Sequence, residues 1–476
     1  MRFRFGPVGL AWPARSRPVE DVKRPWRIHG PPTRLAFVAL LALLIAACGA
    51  PVEPVPDDRE RRVEIDGFET TFTQIRSRGA TTIGCDAAGG GSISVTEFVG
   101  RTAEGATYFH YTPNDDWSGD LVLYARGYVP PGLLGGLVFA FLYGDELPPQ
   151  IQEIVDLRDA LLCSGYAVAL SAYASAGYAV EEGFRDTHLL NALFAWHGEE
   201  PARTFVVGHS MGALITTALI ETFPRTVSGG TYEGGLATCG PVGGSLLQMD
   251  YIGNVRVVFD HLFPGVIEGG VLTPTEQSFE DVVAAIEMAL ADADSAVLEL
   301  LAEMRVTGLV PAGVQDAGLS PGEVRLLRHD PDAAEREDIA DALGRALFYE
   351  VVGKEDVLAR GDGGLPFDNQ SVTYLPEAPL LDGVGDERYT GHPAALDYFG
   401  DWYVSRGVLE RPLRLVHSEF DADVPAYHVD AYLAGLDTFS RDRVDAHVVA
   451  GDTSHCVMPT AELFGHFQEL VDAATP

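Results

Sequence analysis

Lysine is almost missing from this chain: two occur in 476 residues, and arginine supplies the remaining positive charge. Bases number 33 against 69 acids, for a formal net charge of −36. The basic footprint that a nucleic-acid binder requires is therefore absent. An acidic surface of this kind repels anions at long range, an effect that salt screens beyond about 8–10 Å; life at high salt is another reading of the same excess. Cysteine is scarce, at five, and no C-x-x-C or Cys/His ligand spacing occurs, so a zinc site is not expected. Acidic stretches such as LADAD at 290–294 lack the glycine and terminal glutamate of a calcium loop. Neither a metal nor an organic cofactor is expected. No apolar run reaches the roughly 20 residues of a membrane-crossing helix. Glycine (52) and proline (30) are plentiful but scattered, which excludes collagen-like and low-complexity chains. What is present is 46 % apolar residues, enough for a real core. At about 150 residues per domain, the length suggests two or three domains, or one core with a large insertion. A chain of this size can bury its own core, which leaves oligomeric state open.

The amino terminus differs from the rest. Residues 1–47 hold eight Lys/Arg against two acids, leaving 67 acids against 25 bases for the remainder. A basic, Pro-rich leader to Arg34 precedes thirteen uncharged apolar residues, Leu35–Ala47 (LAFVALLALLIAA). That run is too short to span a bilayer but suits a signal h-region of about 7–15 residues. It ends in LIAAC, with Cys48 before Gly49, and resembles the lipobox of bacterial lipoproteins. The resemblance implies removal of residues 1–48 as a signal up to a lipidated Cys48, anchorage in the cell envelope, and an outer-membrane address where two membranes exist. An ordinary secretory signal or an uncleaved anchor is the alternative, and the long leader leaves the translation start open. Residues 49–62 read as a Pro- and charge-rich linker.

From Ala106 the chain alternates strands and helices. ATYFHYTP and DLVLYA read as strands, Ile151–Cys163 as a helix, Tyr166–Ser171 as a strand and Val180–Glu199 as a helix. Thr204–Val207 is a short β-branched and aromatic run, and Ala213–Phe223 has helical spacing that stops at Pro224. Between them lies GHSMG (Gly208 to Gly212), which fits the G-x-S-x-G nucleophile elbow. The pattern alone is weak; its place between a strand and a helix makes it specific. A serine nucleophile needs a base, and the base an orienting acid. Near the carboxyl terminus, Arg411–His417 reads as a buried strand followed by Glu419, Asp421 and Asp423. Asp421 opens D-x-x-V-P and is preferred as the acid, with Asp423 and then Glu419 as alternatives. His455 lies in a turn between the strand Val444–Ala450 and the helix Ala461–Ala473. His447 in the strand, His466 on the last helix and His209 inside the elbow read as packing residues.

These segments, with WSGDLVLYARGY, GYAVEEGFRDT and TYEGGLATCGPVGG, resemble the α/β-hydrolase superfamily over roughly 106–240 and 396–476. The resemblance implies a mostly parallel sheet flanked by helices and the triad order Ser210, Asp421, His455. It also implies an oxyanion hole from the backbone N–H of Met211 and of Tyr128, with Gly127 leaving room for substrate. Arg126 stands where many esterases have histidine; it either contacts a substrate carboxylate or, more plainly, makes a structural ion pair. The implied activity is serine hydrolysis of a small carboxylic ester through an acyl-enzyme. A peptidase or amidase of the aminopeptidase kind is the alternative, and a non-catalytic, surface-anchored binding protein the third reading.

The core is expected over 63–240 and 396–476. Between them, residues 241–395 interrupt the strand rhythm for far longer than a normal connection and are expected to form a mainly helical cap. Its helices are read at Phe279–Met304 and Glu335–Val351, with Val283, Ile286, Leu290, Leu298 and Leu301 packing it together, and Leu396, Phe399 and Tyr403 return the chain to the core. An exported chain can keep disulfides. Cys239 and Cys456 should both lie at the carboxyl edge of the sheet, so a Cys239–Cys456 bond holding the histidine loop is expected, with Cys85–Cys163 as the second pair. Four unpaired buried cysteines are the alternative.

Overall fold

A computed structural model describes residues 61–85, 90–135, 138, 149–198, 200–227, 229–293, 309–311, 323–326, 336–370, 372–374, 386–452, 454–455 and 457–475. The leader, Cys48, most of the linker, Cys456 and the cap helix beyond residue 293 lie outside the described residues. Those described fall in one compact unit, 54–476.

In chain order the elements are β1 (Arg61–Ile65), β2 (Phe68–Gly84), β3 (Ser92–Thr102), β4 (Thr107–Pro113), β5 (Asp120–Ala125), α1 (Pro149–Cys163), β6 (Ala167–Ser171), α2 (Val180–His197), β7 (Arg203–His209), α3 (Met211–Thr222) and β8 (Tyr232–Thr238). The cap region contributes α4 (Ser245–Leu262), α5 (Phe279–Asp292), β9 (Leu309–Pro311), β10 (Glu323–Leu326), α6 (Arg336–Ala346), α7 (Phe348–Val352), α8 (Lys354–Arg360) and β11 (Thr373–Tyr374). The chain closes with α9 (Pro393–Asp401), β12 (Leu413–Ser418), α10 (Tyr427–Gly435), α11 (Thr438–Arg441), β13 (Val444–Val449) and α12 (Thr460–Ala474).

Ten strands form one sheet in the order β1-β2-β3-β4-β6-β5-β7-β8-β12-β13. From β6 to β13 neighbouring strands are parallel, and from β1 to β6 they are antiparallel. The sheet is thus mixed, with five parallel neighbour pairs and four antiparallel ones. Its parallel half explains the unbroken apolar runs: every residue of β5 and of β6 is buried, as strands covered on both faces require. With helices on both faces and a strand–turn–helix elbow at its centre, this is the α/β-hydrolase fold. The antiparallel β1–β3 extension had no clear pattern in the sequence. β2 is long, buries only part of its length and carries two register shifts against β3, so its apolar alternation is interrupted.

The expected linker ends sooner than position 62, because Arg61 and Arg62 already pair in β1. The insertion is helical as expected but also holds a small three-stranded sheet, β11-β10-β9. In α5 the buried residues are Val282, Ile286 and Leu290, with Val283 only half-buried. Its start is set by a capping box between Ser278 and Asp281.

The cap is tied to the core by charge. Arg360 donates to Glu182 at 3.2 Å and to Asp356 at 3.1 Å, and Asp356 accepts the Tyr178 N–H at 2.7 Å. The chain's return is held by buried Glu221, which accepts from Ser405 Oγ at 2.8 Å, Arg406 N at 2.7 Å, Tyr432 Oη at 2.8 Å and the Tyr403 hydroxyl. Lys354, the one lysine beyond the leader, is buried in the cap, where it pairs with Glu350 and donates to Gly270 O at 3.1 Å. Among the described residues no helix is long and apolar enough to cross a membrane.

A Cys85–Cys163 disulfide joins the end of β2 to the end of α1 across 78 residues of sequence. By chain entropy a loop of that size is stabilised by about 4 kcal/mol. Replacing both cysteines by serine is expected to lower the urea midpoint by an amount equivalent to about 2–4 kcal/mol, read by equilibrium unfolding.

Candidate active site

The site is built at the carboxyl ends of the parallel strands, where open α/β sheets place their ligands. β7 ends in His209, and Ser210 turns the chain into α3 at φ 54° and ψ −129°. A non-glycine residue seldom occupies that region, and close packing on both sides holds it there. A Cβ on Gly212 would meet the Ala125 carbonyl oxygen at 2.0 Å, and one on Gly208 would meet the Gly212 oxygen at 2.2 Å. The spacing G-x-S-x-G is therefore a steric requirement of this turn. The Ser210 N–H donates to Thr238 O at 2.9 Å, which fixes the elbow to β8.

His455 reaches the elbow from the loop after β13. Its Nε2 lies 2.9 Å from Ser210 Oγ, and its Nδ1 lies 2.6 Å from Asp421 Oδ2. Asp421 is fully buried. Its other oxygen accepts the N–H groups of Asp423 at 2.9 Å and Val424 at 3.1 Å. The D-x-x-V-P turn thus orients the carboxylate by its own backbone. With that carboxylate on Nδ1–H, Nε2 is left to accept from the serine hydroxyl.

The alternatives separate by geometry. Glu419 accepts from Gly451 N at 2.7 Å and is exposed. Asp423 lies close to both Asp421 and His455 but faces Arg345 of α6 at 3.6 Å. Burial pulls the His455 imidazole down; the charges of Asp421 and Asp423 and the Asp421 hydrogen bond more than offset this and raise it above its ordinary value. His209 is different: burial, aided by the charges of His455 and Arg126, pulls it down to about 4. It stacks on Tyr124, whose hydroxyl is bonded to its Nδ1. His447 sits in β13, and His466 accepts from Arg414 Nε at 2.9 Å.

The loop after β5 lies directly on the elbow. A Cβ on Gly127 would come within 3.0 Å of His209 Nε2 and 3.2 Å of the Ser210 Cβ, so a side chain there would crowd the elbow. Met211 opens α3, where the first N–H groups have no partner within the helix. Arg126 is not placed for substrate. It is 4 % exposed and donates to Ala172 O at 3.0 Å, Gly127 O at 2.9 Å and Ser175 O at 2.8 Å, while lying 4.2 Å over the Tyr173 ring. Its partners are backbone carbonyls rather than an acid; it holds the 126–128 loop.

Of the expected Cys239–Cys456 pair, Cys239 is buried just past the end of β8, and Cys456 lies outside the described residues. The histidine loop is held by Asp452, which accepts from Ser418 Oγ at 2.7 Å, Ser454 N at 2.9 Å and Ser454 Oγ at 3.1 Å. The D-T-S turn carried that signal; its long-range partner, Ser418, could not be read.

Two cavities meet at Ser210. One spans about 700 Å³, open solvent included, and is largely apolar, walled by Met249, Ile252, Val271, Val357, Leu365 and Phe367. The other spans about 1350 Å³, open solvent included, and carries His455, Asp423, Arg345 and Glu153. Tyr128 and Tyr349 line both, with ring centroids 5.1 Å apart at 88°. Tyr349, from cap helix α7, was not singled out in the sequence, where nothing distinguishes it from a packing residue.

No protein-family model and no curated protein matches the chain. Among solved structures it is similar to the rice cell wall degrading esterase LipA from Xanthomonas oryzae, at 14 % identity over 84 % of this chain and 96 % of that one, with a TM-score of 0.40. It is also similar to the esterase PF2001 of Pyrococcus furiosus, at 13 % identity over 80 % of this chain and 91 % of that one, with a TM-score of 0.37. Both likenesses are distant.

The carboxylates around His455 generate a prediction. Asp423→Asn removes one of the two negative charges that raise the imidazole, so His455 should lose its proton at lower pH. Arg345→Gln strips a counter-charge from Asp423 and should move the titration the other way. NMR titration of the imidazole checks both directions; an unmoved Asp423→Asn titration would show that Asp421 alone sets it.

Proposed function

We propose that this protein is a serine hydrolase acting on carboxylic esters. The observation that carries the reading is the continuous path from Asp421 to His455 to Ser210, at 2.6 and 2.9 Å, opening directly into an apolar cavity. In this reading Ser210 Oγ attacks the ester carbonyl while His455 Nε2 takes its proton. The oxyanion that forms is met by the N–H groups of Met211 and Tyr128. Collapse of the tetrahedral intermediate expels the alcohol, which takes the proton from His455 and leaves an acyl-Ser210. Water then attacks the acyl group with His455 again as base, releasing the acid and restoring the serine.

The two cavities divide the substrate in the same reading: the acyl group enters the more apolar one, and the alcohol leaves through the wider one, whose wall includes charged groups. The amide alternative draws on Glu153 in the wider cavity, a carboxylate able to meet a substrate ammonium. Aryl esters and aminoacyl amides, compared on one preparation, separate the two. The chain is further proposed to be exported and anchored in the bilayer by an acylated Cys48.

Labelling with a fluorophosphonate probe tests the nucleophile. Wild-type protein should label and Ser210→Ala should not, with ester turnover falling by about 10⁴-fold or more. Labelling that persists in Ser210→Ala would overturn the assignment. Anchorage is tested by fractionation: Cys48→Ser is expected to move the protein out of the membrane fraction, and its retention there would remove the lipid anchor.

A further inference from the structure

The apolar cavity beside Ser210 is not uniformly apolar. The hydroxyls of Tyr128 and Tyr178, both of which line it, are buried without a hydrogen-bond partner. Tyr178 is only 6 % exposed. The Tyr128 hydroxyl lies 3.2 Å from where a Cβ on Gly353 would stand, and Gly353 lines the same cavity. This hydroxyl therefore sits on the acyl side of the neck rather than in the open cavity. Burial raises both phenols well above their ordinary range, so each remains a neutral donor at any working pH.

The other polar groups in the wall are committed elsewhere. Lys354 is paired with Glu350 and donates to Gly270 O and Thr273 O. Gln248 is held between Asp423 O and His428 Nε2, both at 2.9 Å. Behind the wall the Ser245 hydroxyl neighbours the Tyr178 phenol and tends to hold it down, but it is already engaged, donating to Trp402 O and accepting from Tyr403 N. A buried hydroxyl that finds no partner opposes both folding and the entry of hydrocarbon. A plain alkyl chain in this cavity would leave both phenols unpaired.

We propose that the cavity recognises an acyl group bearing a hydrogen-bonding oxygen, such as a hydroxyl, ether or ketone, with Tyr128 and Tyr178 as the donors that select it. The proposal rests on the ester-hydrolase reading of Ser210 and names its substrate class. A site built around such donors discriminates against the analogue lacking the oxygen more strongly than an apolar wall discriminates between chain lengths.

The test uses matched p-nitrophenyl esters: phenylpropanoate against its ortho-, meta- and para-hydroxy forms, and hexanoate against hydroxyhexanoates substituted along the chain. At least one oxygenated ester is expected to exceed its parent by about tenfold or more in kcat/KM, and Tyr128→Phe or Tyr178→Phe should return that ratio to near one. A parent ester cleaved as well as every oxygenated form, or a preference that survives both substitutions, overturns the inference while leaving the hydrolase reading intact. Should no ester be cleaved, the hydrolase reading fails, and titration calorimetry with the matched free acids decides the cavity alone. Tighter binding of an oxygenated acid, lost on either Tyr→Phe substitution, supports it; equal binding overturns it. Tyr→Phe keeps the ring and its packing, and thermal unfolding of each variant checks that the fold is retained.

Discussion

Everything at this site depends on one crowded contact, the approach of the α3 amino terminus to the end of β5. Gly212 lies against the Ala125 carbonyl so closely that a methyl group would overlap it. That contact lets Ser210 stand in its unusual backbone conformation at the crest of the sheet. Backbone strain of this kind persists only where surrounding structure over-determines it. Here the Thr238 hydrogen bond, the fully buried α3 and the loop at Gly127 all do so. Arg126 completes the arrangement from below by spending its donors on three carbonyls of neighbouring turns. Arg126 is part of the scaffold, through carbonyls rather than the expected ion pair.

The second constraint is electrostatic. A chain with 69 acids and 33 bases places two carboxylates beside one histidine and brings an arginine from the inserted region to the second. Asp421 is neutralised in effect by backbone N–H groups and by the imidazole; Asp423 faces Arg345. The inserted segment therefore does more than cover the sheet. Through Arg345 it touches the charge balance of His455, and through Tyr349 it narrows the passage above Ser210. Its own attachment runs through Arg360, Asp356 and Glu182.

The contrast between the two cavities also follows from which elements wall them. The smaller is enclosed by α4, α7, α8 and the 365–367 segment, whose inward residues are mainly aliphatic and aromatic. The larger lies towards α1 and the histidine loop, where the wall includes charged groups. An ester presented at Ser210 meets two different solvents, one on either side of its carbonyl.

Local sequence determined much of this protein. Unbroken apolar runs marked β5 and β6, helical spacing marked α1, α2, α3 and α12, and the glycines around Ser210 marked the turn, because each is set by contacts a few residues long. D-x-x-V-P singled out Asp421 for the same reason: the donors that orient its carboxylate are the next residues in the chain. What only the tertiary structure decided is what distant segments do to one another. The pairing of β1–β3 was hidden because β2 has register shifts and exposed stretches that break its alternation. The role of Arg126 was hidden because its acceptors include carbonyls some fifty residues away in sequence. The histidine loop is fastened by Asp452 and Ser418, 34 residues apart. Tyr349 comes beside Ser210 only when α7 packs among α4, α5 and α6. Periodicity and turn chemistry are local and can be read along a chain; a shared cavity and a long-range hydrogen bond exist only once the chain has closed on itself.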